Sequence, residues 1–205
     1  TGYNLTQIIV GSEGTLGIIT KIVFRLIPLP TKDITMLVPF NNSEKACEAV
    51  SAVFMTGVIP SALEFIERDA IDWTMKYTNI SVSILPETKA HLLIELDGNN
   101  MDTLYSDCEK ISNVMYKFDS GDILIADSYS EKENLWKLRR SIGEAVKSNS
   151  VYKEEDTVVP RAELAKLLKG VKEIGNKYGF KSVCYGHAGD GNLHINIIKG
   201  DMKDE

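Results

Sequence analysis

The 205-residue sequence predicts an α+β domain, an antiparallel sheet with helices packed on one of its faces. Two observations support this class. Short apolar runs rich in β-branched residues alternate with longer segments in which apolar residues recur every three or four positions, the period of a helix. Near the C-terminal end, the pair Asp190-Gly191 separates two apolar runs, a pattern typical of a tight turn between antiparallel strands.

The composition is that of a globular protein, with 43% hydrophobic residues and a net charge of −6. Acidic side chains outnumber basic ones by 29 to 23 and no basic cluster occurs, which argues against a nucleic-acid partner. No apolar run approaches the roughly 18 residues that span a bilayer, so we expect no integral membrane segment. Three widely spaced cysteines favour a reducing compartment, and we expect a cytoplasmic protein, with peripheral attachment to the inner membrane face left open.

The first thirty residues differ in character from the rest of the chain. Residues 6–10 and 17–28 predict strands, because both runs are rich in β-branched residues and prolines follow the second. The glycines between them recur every third residue and lead into a strand, which is not the dinucleotide-binding pattern. They favour a β-turn over close approach to a planar ligand. Residues 1–30 are too few to fold alone, so we expect them to end one domain, with 31–205 forming a second.

After residue 30, strands and helices follow one another along the chain. The predicted strands are 34–39, 62–66, 90–96, 123–126, 181–187 and 192–198. The predicted helices are 43–56, 69–77, 101–116, 130–149 and 161–178. The helix at 130 has the clearest start, because Ser130 to Glu133 has the pattern of a capping box.

Two adjacent arginines on that helix have different expected environments. The apolar residues Leu135, Leu138 and Ile142 form a stripe, with Arg139 at its edge and Arg140 turned towards solvent. A buried guanidinium without an anionic partner is energetically expensive. We therefore expect Arg139 to bind a carboxylate, either an internal one or that of a substrate, and the sequence leaves both open.

The Asp190-Gly191 turn brings two of the three histidines together. With these two residues as the loop, His187 lies directly opposite His194, with Cβ atoms about 4.5–5.5 Å apart. Alternation along the strands groups the polar residues on one face: Tyr185, His187, Asn192, His194 and Asn196. Val183, Leu193, Ile195 and Ile197 lean to the other face. Two imidazoles with a carboxylate suit zinc or another divalent first-row metal. The alternative is a polar hairpin that faces solvent.

Two sets of motifs resemble flavoproteins of the vanillyl-alcohol oxidase type. Segments 1–5, 10–20 and 26–30 are similar to the end of their FAD-binding domain. Segments 62–65, 135–140, 156–160 and 186–194 resemble the FAD-linked oxidase C-terminal, or cap, domain, as found in D-lactate dehydrogenases and the flavin subunit of glycolate oxidase. The resemblance implies a ferredoxin-like cap domain at 31–205, preceded by the last strands of an FAD-binding domain at 1–30.

The resemblance also implies an activity. Such enzymes oxidise a D-2-hydroxy acid, such as D-lactate or glycolate, to the 2-keto acid. Hydride passes to FAD and electrons pass to a separate acceptor, which is an electron-transfer flavoprotein, a quinone or a cytochrome. The residues that match FAD-binding positions are Gly2, Tyr3, Gly11, Ser12, Gly14, Thr15, Gly17, Ile18 and Ile19.

Residue by residue, the resemblance assigns three positions to a catalytic site, and a fourth, Asn192, shares the face of the histidines in the predicted hairpin. His187 and His194 match the histidines that hold a divalent metal, zinc or alternatively iron or manganese. Arg139 matches the arginine that binds the substrate carboxylate, and Asn192 is placed to orient the substrate or a metal-bound water.

Other parts of the family pattern are missing. The third metal ligand and a catalytic base are expected beyond Glu205, and the loops that bind the FAD pyrophosphate before Thr1, so we expect this piece alone to be inactive. Glu154 stands where some relatives carry a substrate-binding lysine, which disfavours a second substrate carboxylate. The competing hypothesis is a flavin-free α+β module that binds metal or protein.

Overall fold

The computed structural model describes residues 2–200, and its centre is a seven-stranded antiparallel sheet. The strands are β1 Lys32–Phe40, β2 Ala62–Glu67, β3 Ala90–Gly98, β4 Leu124–Ile125, β5 Tyr152–Val158, β6 Lys181–Gly186 and β7 Asn192–Ile198. Their order is β4-β1-β3-β2-β6-β7-β5, and every neighbouring pair is antiparallel. The predicted α+β class with an antiparallel sheet is therefore confirmed.

The helices flank both faces of this sheet rather than one. They are α1 Thr6–Ile9, α2 Ser43–Met55, α3 Arg68–Thr78, α4 Met101–Lys117, α5 Tyr129–Asn149 and α6 Leu164–Tyr178. Helices α2, α4 and α6 cover one face, and α3 and α5 cover the other. The expectation of helices on a single face was wrong. Continuous apolar runs such as Leu92-Leu93-Ile94 indicate strands buried on both sides, and both sides then need a covering layer.

The N-terminal segment also differs from the prediction. Residues 6–9 form a single helical turn and residues 17–28 contain no strand. The hydrogen bonds that shape residues 2–15 join residues within that segment. A strand exists only through hydrogen bonds to a neighbouring strand, and no described strand lies beside these residues. Among the described residues, these β-branched residues therefore have no neighbouring strand with which to pair.

Strand β5 was not predicted, because its centre is the acidic run Glu154-Glu155-Asp156. Such residues are depleted in strands. Here the strand forms because all seven of its residues pair with β7, at the edge of the sheet. Charged side chains are characteristic of edge strands, where they oppose further pairing.

The start of α5 lies two residues earlier than the motif at Ser130 suggested. Ser128 is the N-cap, and its side chain accepts a hydrogen bond from the Glu131 backbone N–H. The Glu131 carboxylate accepts in turn from the Asp127 N–H at 2.8 Å. The pair that caps the helix resembles a capping box, but it is formed by Ser128 and Glu131, and the glutamate accepts from the residue before the N-cap.

The loop between β6 and β7 depends on Gly191, and we expect Gly191→Ala to lower the free energy of unfolding by at least about 2 kcal/mol. Gly191 has φ +78°, which disfavours any side chain, and an added Cβ would lie 2.0 Å from the Val159 carbonyl oxygen. Urea denaturation measures the change. The control is Gly170→Ala in α6, where an added Cβ meets no atom within 4 Å. That change should stabilise the protein by about 0.5–1 kcal/mol, and equal losses in both variants would contradict this account.

The buried side chain of His91 makes the stability of the fold depend on pH. Burial, together with the Arg68 charge, lowers the pKa of His91 to about 4. The unfolded chain therefore binds this proton at a higher pH than the folded chain. Stability from neutral His91 is complete above about pH 6.5 and is lost as the pH falls towards 4, with a total on the order of 3 kcal/mol. Unfolding curves of His91→Gln at pH 7 and 4.5 should show a weaker pH dependence than wild type. If the free energy of unfolding of His91→Gln changes between pH 7 and 4.5 by as much as that of wild type, the prediction is contradicted.

Candidate functional site

The two histidines share a face of the sheet, although their register differs from the prediction. Tyr185 is the partner of His194 in the β6–β7 ladder, and His187 lies in a five-residue loop, 187–191. A two-residue loop at Asp190-Gly191 needs positive φ at both positions, and only Gly191 has it. The histidine rings nevertheless lie 6.1 Å apart between centroids. The shift from His187 to Tyr185 is two residues, and such a shift preserves the face of the sheet.

The faces of this hairpin are assigned as expected with one exception. Leu193 and Ile195 lie in the core beneath α2 and α6, opposite the face of His194. Val183 was expected beside them, which was wrong. It lies with Tyr185 in the second core, beneath α3 and α5, because residues two apart on a strand share a face.

A buried carboxylate joins Arg139 to His187. Glu64 lies on β2 and is 6% exposed, and Arg139 on α5 is 9% exposed. Glu64 Oε2 accepts a hydrogen bond from Arg139 Nε at 2.8 Å and lies 2.7 Å from Nη2. Glu64 Oε1 lies 2.8 Å from His187 Nδ1. Because an ionised carboxylate only accepts, Nδ1 carries a proton, and in the neutral form of this ring Nε2 is then the bare nitrogen.

The aromatic ring of Tyr185 lies beside both Arg139 and His194. The Arg139 guanidinium carbon lies 5.4 Å from the centre of the ring, within the range of a cation–π contact. The His194 ring lies 5.2 Å away on another side. Burial, with the Glu154 charge, raises the pKa of the Tyr185 hydroxyl, so it stays protonated at neutral pH.

Asn192 and His194 lie on β7 beside the acidic edge strand β5. Asn192 Nδ2 donates to Asp156 Oδ1 at 2.6 Å and to the Thr157 carbonyl at 3.1 Å. His194 Nδ1 lies 3.0 Å from Glu154 Oε1 and 3.6 Å from Asp156 Oδ1. Neither carboxylate is aligned to accept a hydrogen bond from this nitrogen.

Several polar atoms of this cluster are buried without a hydrogen-bond partner. Within residues 2–200, the structure has six such side-chain atoms, and three belong to predicted site residues: Arg139 Nη2, Asn192 Oδ1 and His194 Nδ1. Unsatisfied buried polar groups are rare and each costs about 1–3 kcal/mol. Two of the three still lie at ion-pair distance from a carboxylate, Arg139 Nη2 beside Glu64 and His194 Nδ1 beside Glu154, and Asn192 Oδ1 has neither kind of contact.

A metal ion fits the histidine pair only in part. No group of three His, Cys, Asp or Glu side chains within residues 2–200 is arranged to hold a metal. The pair supplies two imidazoles, one of them already held by a carboxylate through Nδ1, which is how metal-binding histidines are usually oriented.

The residues expected to bind FAD lie on the exposed N-terminal segment. Gly2, Gly11 and Gly14 have positive φ and open space around each Cα, and Thr15 closes a turn onto the Ser12 carbonyl. Tyr3, Gly17, Ile18 and Ile19 are exposed. None of these residues takes part in the contacts of Glu64 or the histidines described above.

A pocket that contains none of the predicted site residues lies elsewhere on the domain. It has a volume of about 450 Å³ and lies between β1 and segments 83–88 and 122–127. Its lining is mostly apolar, and the acidic residues Asp122, Asp127 and Glu131 surround it. Because these carboxylates repel anions, this pocket does not suit an acidic substrate.

Glu64 is the site residue that the sequence reasoning did not identify. It stands in the motif 62–65, within the apolar run of β2. A charged residue in such a run needs a partner, and this was the available signal. Its partners are 75 and 123 residues away in sequence, so they were not predictable from local pattern.

The family model of the FAD linked oxidases, C-terminal domain, matches residues 29–205. The chain belongs to this family. It is 35% identical over 211 residues to a D-lactate dehydrogenase of Anaerostipes hadrus, covering 100% of the chain and 44% of that protein. It is 37% identical over 196 residues to glycolate oxidase subunit GlcD of Bacillus subtilis (strain 168), covering 94% of the chain and 41% of that protein. The chain thus spans less than half the length of these relatives.

A solved structure of alkyldihydroxyacetonephosphate synthase has the same fold, with a TM-score of 0.58 at 19% identity, over 96% of this chain and 42% of that one. These matches confirm the resemblance to the cap domains of FAD-linked oxidases. No helix within residues 2–200 has the length and apolar character needed to cross a membrane.

Proposed function

We propose that this chain is the substrate domain of an FAD-dependent dehydrogenase that oxidises a small D-2-hydroxy acid, D-lactate or glycolate, to the 2-keto acid. The names of the relatives support this reaction class. The observation that carries the proposal is the group of buried polar atoms on Arg139, Asn192 and His194 that make no aligned hydrogen bond. Family membership favours this enzyme over a flavin-free binding module.

Arg139 is the proposed clamp for the substrate carboxylate. Its Nε is hydrogen-bonded to Glu64, while its buried Nη2 lacks an aligned acceptor. Nη2 also lies 2.7 Å from Glu64 Oε2 but carries two hydrogens, so a substrate carboxylate accepts a charge-assisted bond from it as well. In this proposal, Glu64 and the substrate carboxylate bind the same guanidinium at the same time.

His187 and His194 are the proposed ligands of a divalent metal, zinc, iron or manganese. Their rings are close enough to share an ion, and Glu64 leaves Nε2 of His187 bare. A further ligand is then required from outside residues 2–200, together with the catalytic base. A divalent cation, when bound, supplies a Lewis acid that lowers the pKa of the substrate hydroxyl.

Asn192 is proposed to orient the substrate. Its Nδ2 is fixed by Asp156 and by the Thr157 carbonyl, so Oδ1 is free to accept from a substrate hydroxyl. Glu154 and Asp156 lie beside His194 and repel a second carboxylate on the substrate. This charge pattern supports a small monocarboxylate as the substrate.

The N-terminal segment is proposed to belong to the flavin domain, with the boundary at residue 30. Thirteen large apolar side chains between Tyr3 and Leu29 are exposed, and so many require a partner surface. FAD, when bound, supplies the hydride acceptor and releases electrons to an electron-transfer flavoprotein, a quinone or a cytochrome. The buried free cysteines agree with a cytoplasmic location, and peripheral attachment to the membrane stays a proposal.

The test is a screen of 2-hydroxy acids with the purified full-length protein and an artificial electron acceptor. We expect turnover of D-lactate or glycolate, loss of turnover after chelation, and recovery with one divalent metal. His187→Ala should lower kcat at least about 100-fold, because one ligand is lost. Turnover that is indifferent both to the chelator and to His187→Ala would reject the metal site. No oxidation of any 2-hydroxy acid would reject the function.

The role of Arg139 is tested by Arg139→Lys. Lysine keeps the charge beside Glu64 but loses the planar array of donors, so we expect KM for the hydroxy acid to rise about 10–100-fold. Arg140→Lys is the matched control, since Arg140 is exposed and forms a long ion pair with Glu133, at 3.4 Å. In steady-state kinetics, the KM of Arg140→Lys should equal that of wild type. Similar values of KM in both variants would remove Arg139 from the substrate site.

A further inference from the structure

Glu64 connects two parts of the proposed site that are distant in sequence. One of its carboxylate oxygens bonds His187, in the loop before β7, and the other bonds Arg139, in the middle of α5. These partners are 123 and 75 residues away from Glu64. A single side chain on β2 therefore holds both the proposed metal ligand and the proposed substrate clamp.

Burial makes this arrangement restrictive. A carboxylate that is 6% exposed must keep its partners, because an uncompensated buried charge is strongly destabilising. Each oxygen has a different partner, so neither partner can move without leaving part of the charge unsatisfied. The orientation of the His187 ring and that of the Arg139 guanidinium are thereby linked.

Glu67 shows what a purely structural glutamate looks like in the same strand. It is 8% exposed and lies on the opposite face of β2. It accepts from Lys172 Nζ at 2.8 Å and from the Cys184 backbone N–H at 2.6 Å. Neither partner belongs to the proposed site. The two glutamates thus have similar burial and charge pairing but different neighbours.

We propose that Glu64 is a positioning residue that couples metal binding to substrate binding. The inference rests on the proposed function. Through Oε1 it keeps the proton of His187 on Nδ1 and the ligand nitrogen Nε2 bare. Through Oε2 it contacts both Nε and Nη2 of Arg139, which fixes the plane in which the remaining N–H groups of the guanidinium meet a substrate carboxylate.

The test is Glu64→Gln in the full-length flavoprotein, with Glu67→Gln as the matched control. The glutamine amide has one acceptor oxygen in place of two, so it cannot accept from both Arg139 and His187. We expect the dissociation constant for Zn²⁺ or Mn²⁺, measured by competition with a chelator in the absence of substrate, to rise about 10–100-fold. KM for the hydroxy acid at saturating metal should also rise several-fold. Glu67→Gln should leave both quantities within about threefold of wild type.

Different outcomes separate the inference from the function on which it rests. A wild-type protein that binds no metal and oxidises no hydroxy acid overturns both. A wild type that does both, with Glu64→Gln matching it in metal affinity and KM, overturns the inference alone. Equal losses in Glu64→Gln and Glu67→Gln also overturn it, because they indicate general destabilisation.

A second variant covers the case in which Glu64→Gln does not fold. Glu64→Asp keeps the negative charge but withdraws it by one methylene, too far to hold both partners. We expect its metal dissociation constant to lie between those of wild type and a His187→Ala variant. A wild-type constant in Glu64→Asp overturns the inference.

Discussion

The buried charge on Glu64 is the constraint on which the organisation of the site depends. Strand β2 lies in the interior of a sheet that is covered on both faces, so water is not available to solvate a carboxylate there. The fold must bring donors to it, and the donors are Arg139 and His187. This requirement places α5 and the β6–β7 loop over the same strand. The position of the site therefore follows from the satisfaction of one buried charge.

The face on which a residue lies was easier to predict than its exact partner. His187 and His194 were expected to be directly opposite, yet Tyr185 is the partner of His194. The error did not separate the histidines, because a change of register by two residues returns the same side chains to the same face. Alternation along a strand depends only on the chain itself. Register depends on the loop, and the loop depends on which residues have positive φ.

The features that the sequence did not reveal all depend on contacts between distant segments. β5 has an acidic sequence that disfavours a strand, and its pairing with β7 outweighs this propensity. Residues 17–28 have a strand-like composition but no neighbouring strand among the described residues. Arg139 was expected to meet a carboxylate, but the local pattern did not identify Glu64. Helices α2 to α6 and the capping pair of α5, which are local, were located within three residues of their observed limits.

The unsatisfied atoms of the cluster show how stability and binding are divided within this domain. Arg139 is anchored to Glu64 through Nε and Asn192 to Asp156 through Nδ2, while Nη2 and Oδ1 of the same side chains make no aligned hydrogen bond. The anchors restrict the rotamers before any ligand arrives, so binding does not have to order these side chains. A buried polar atom without an aligned hydrogen bond costs stability, and a ligand with complementary polar atoms removes that cost. Under the proposed function, the carboxylate and the hydroxyl of a 2-hydroxy acid satisfy both atoms at once.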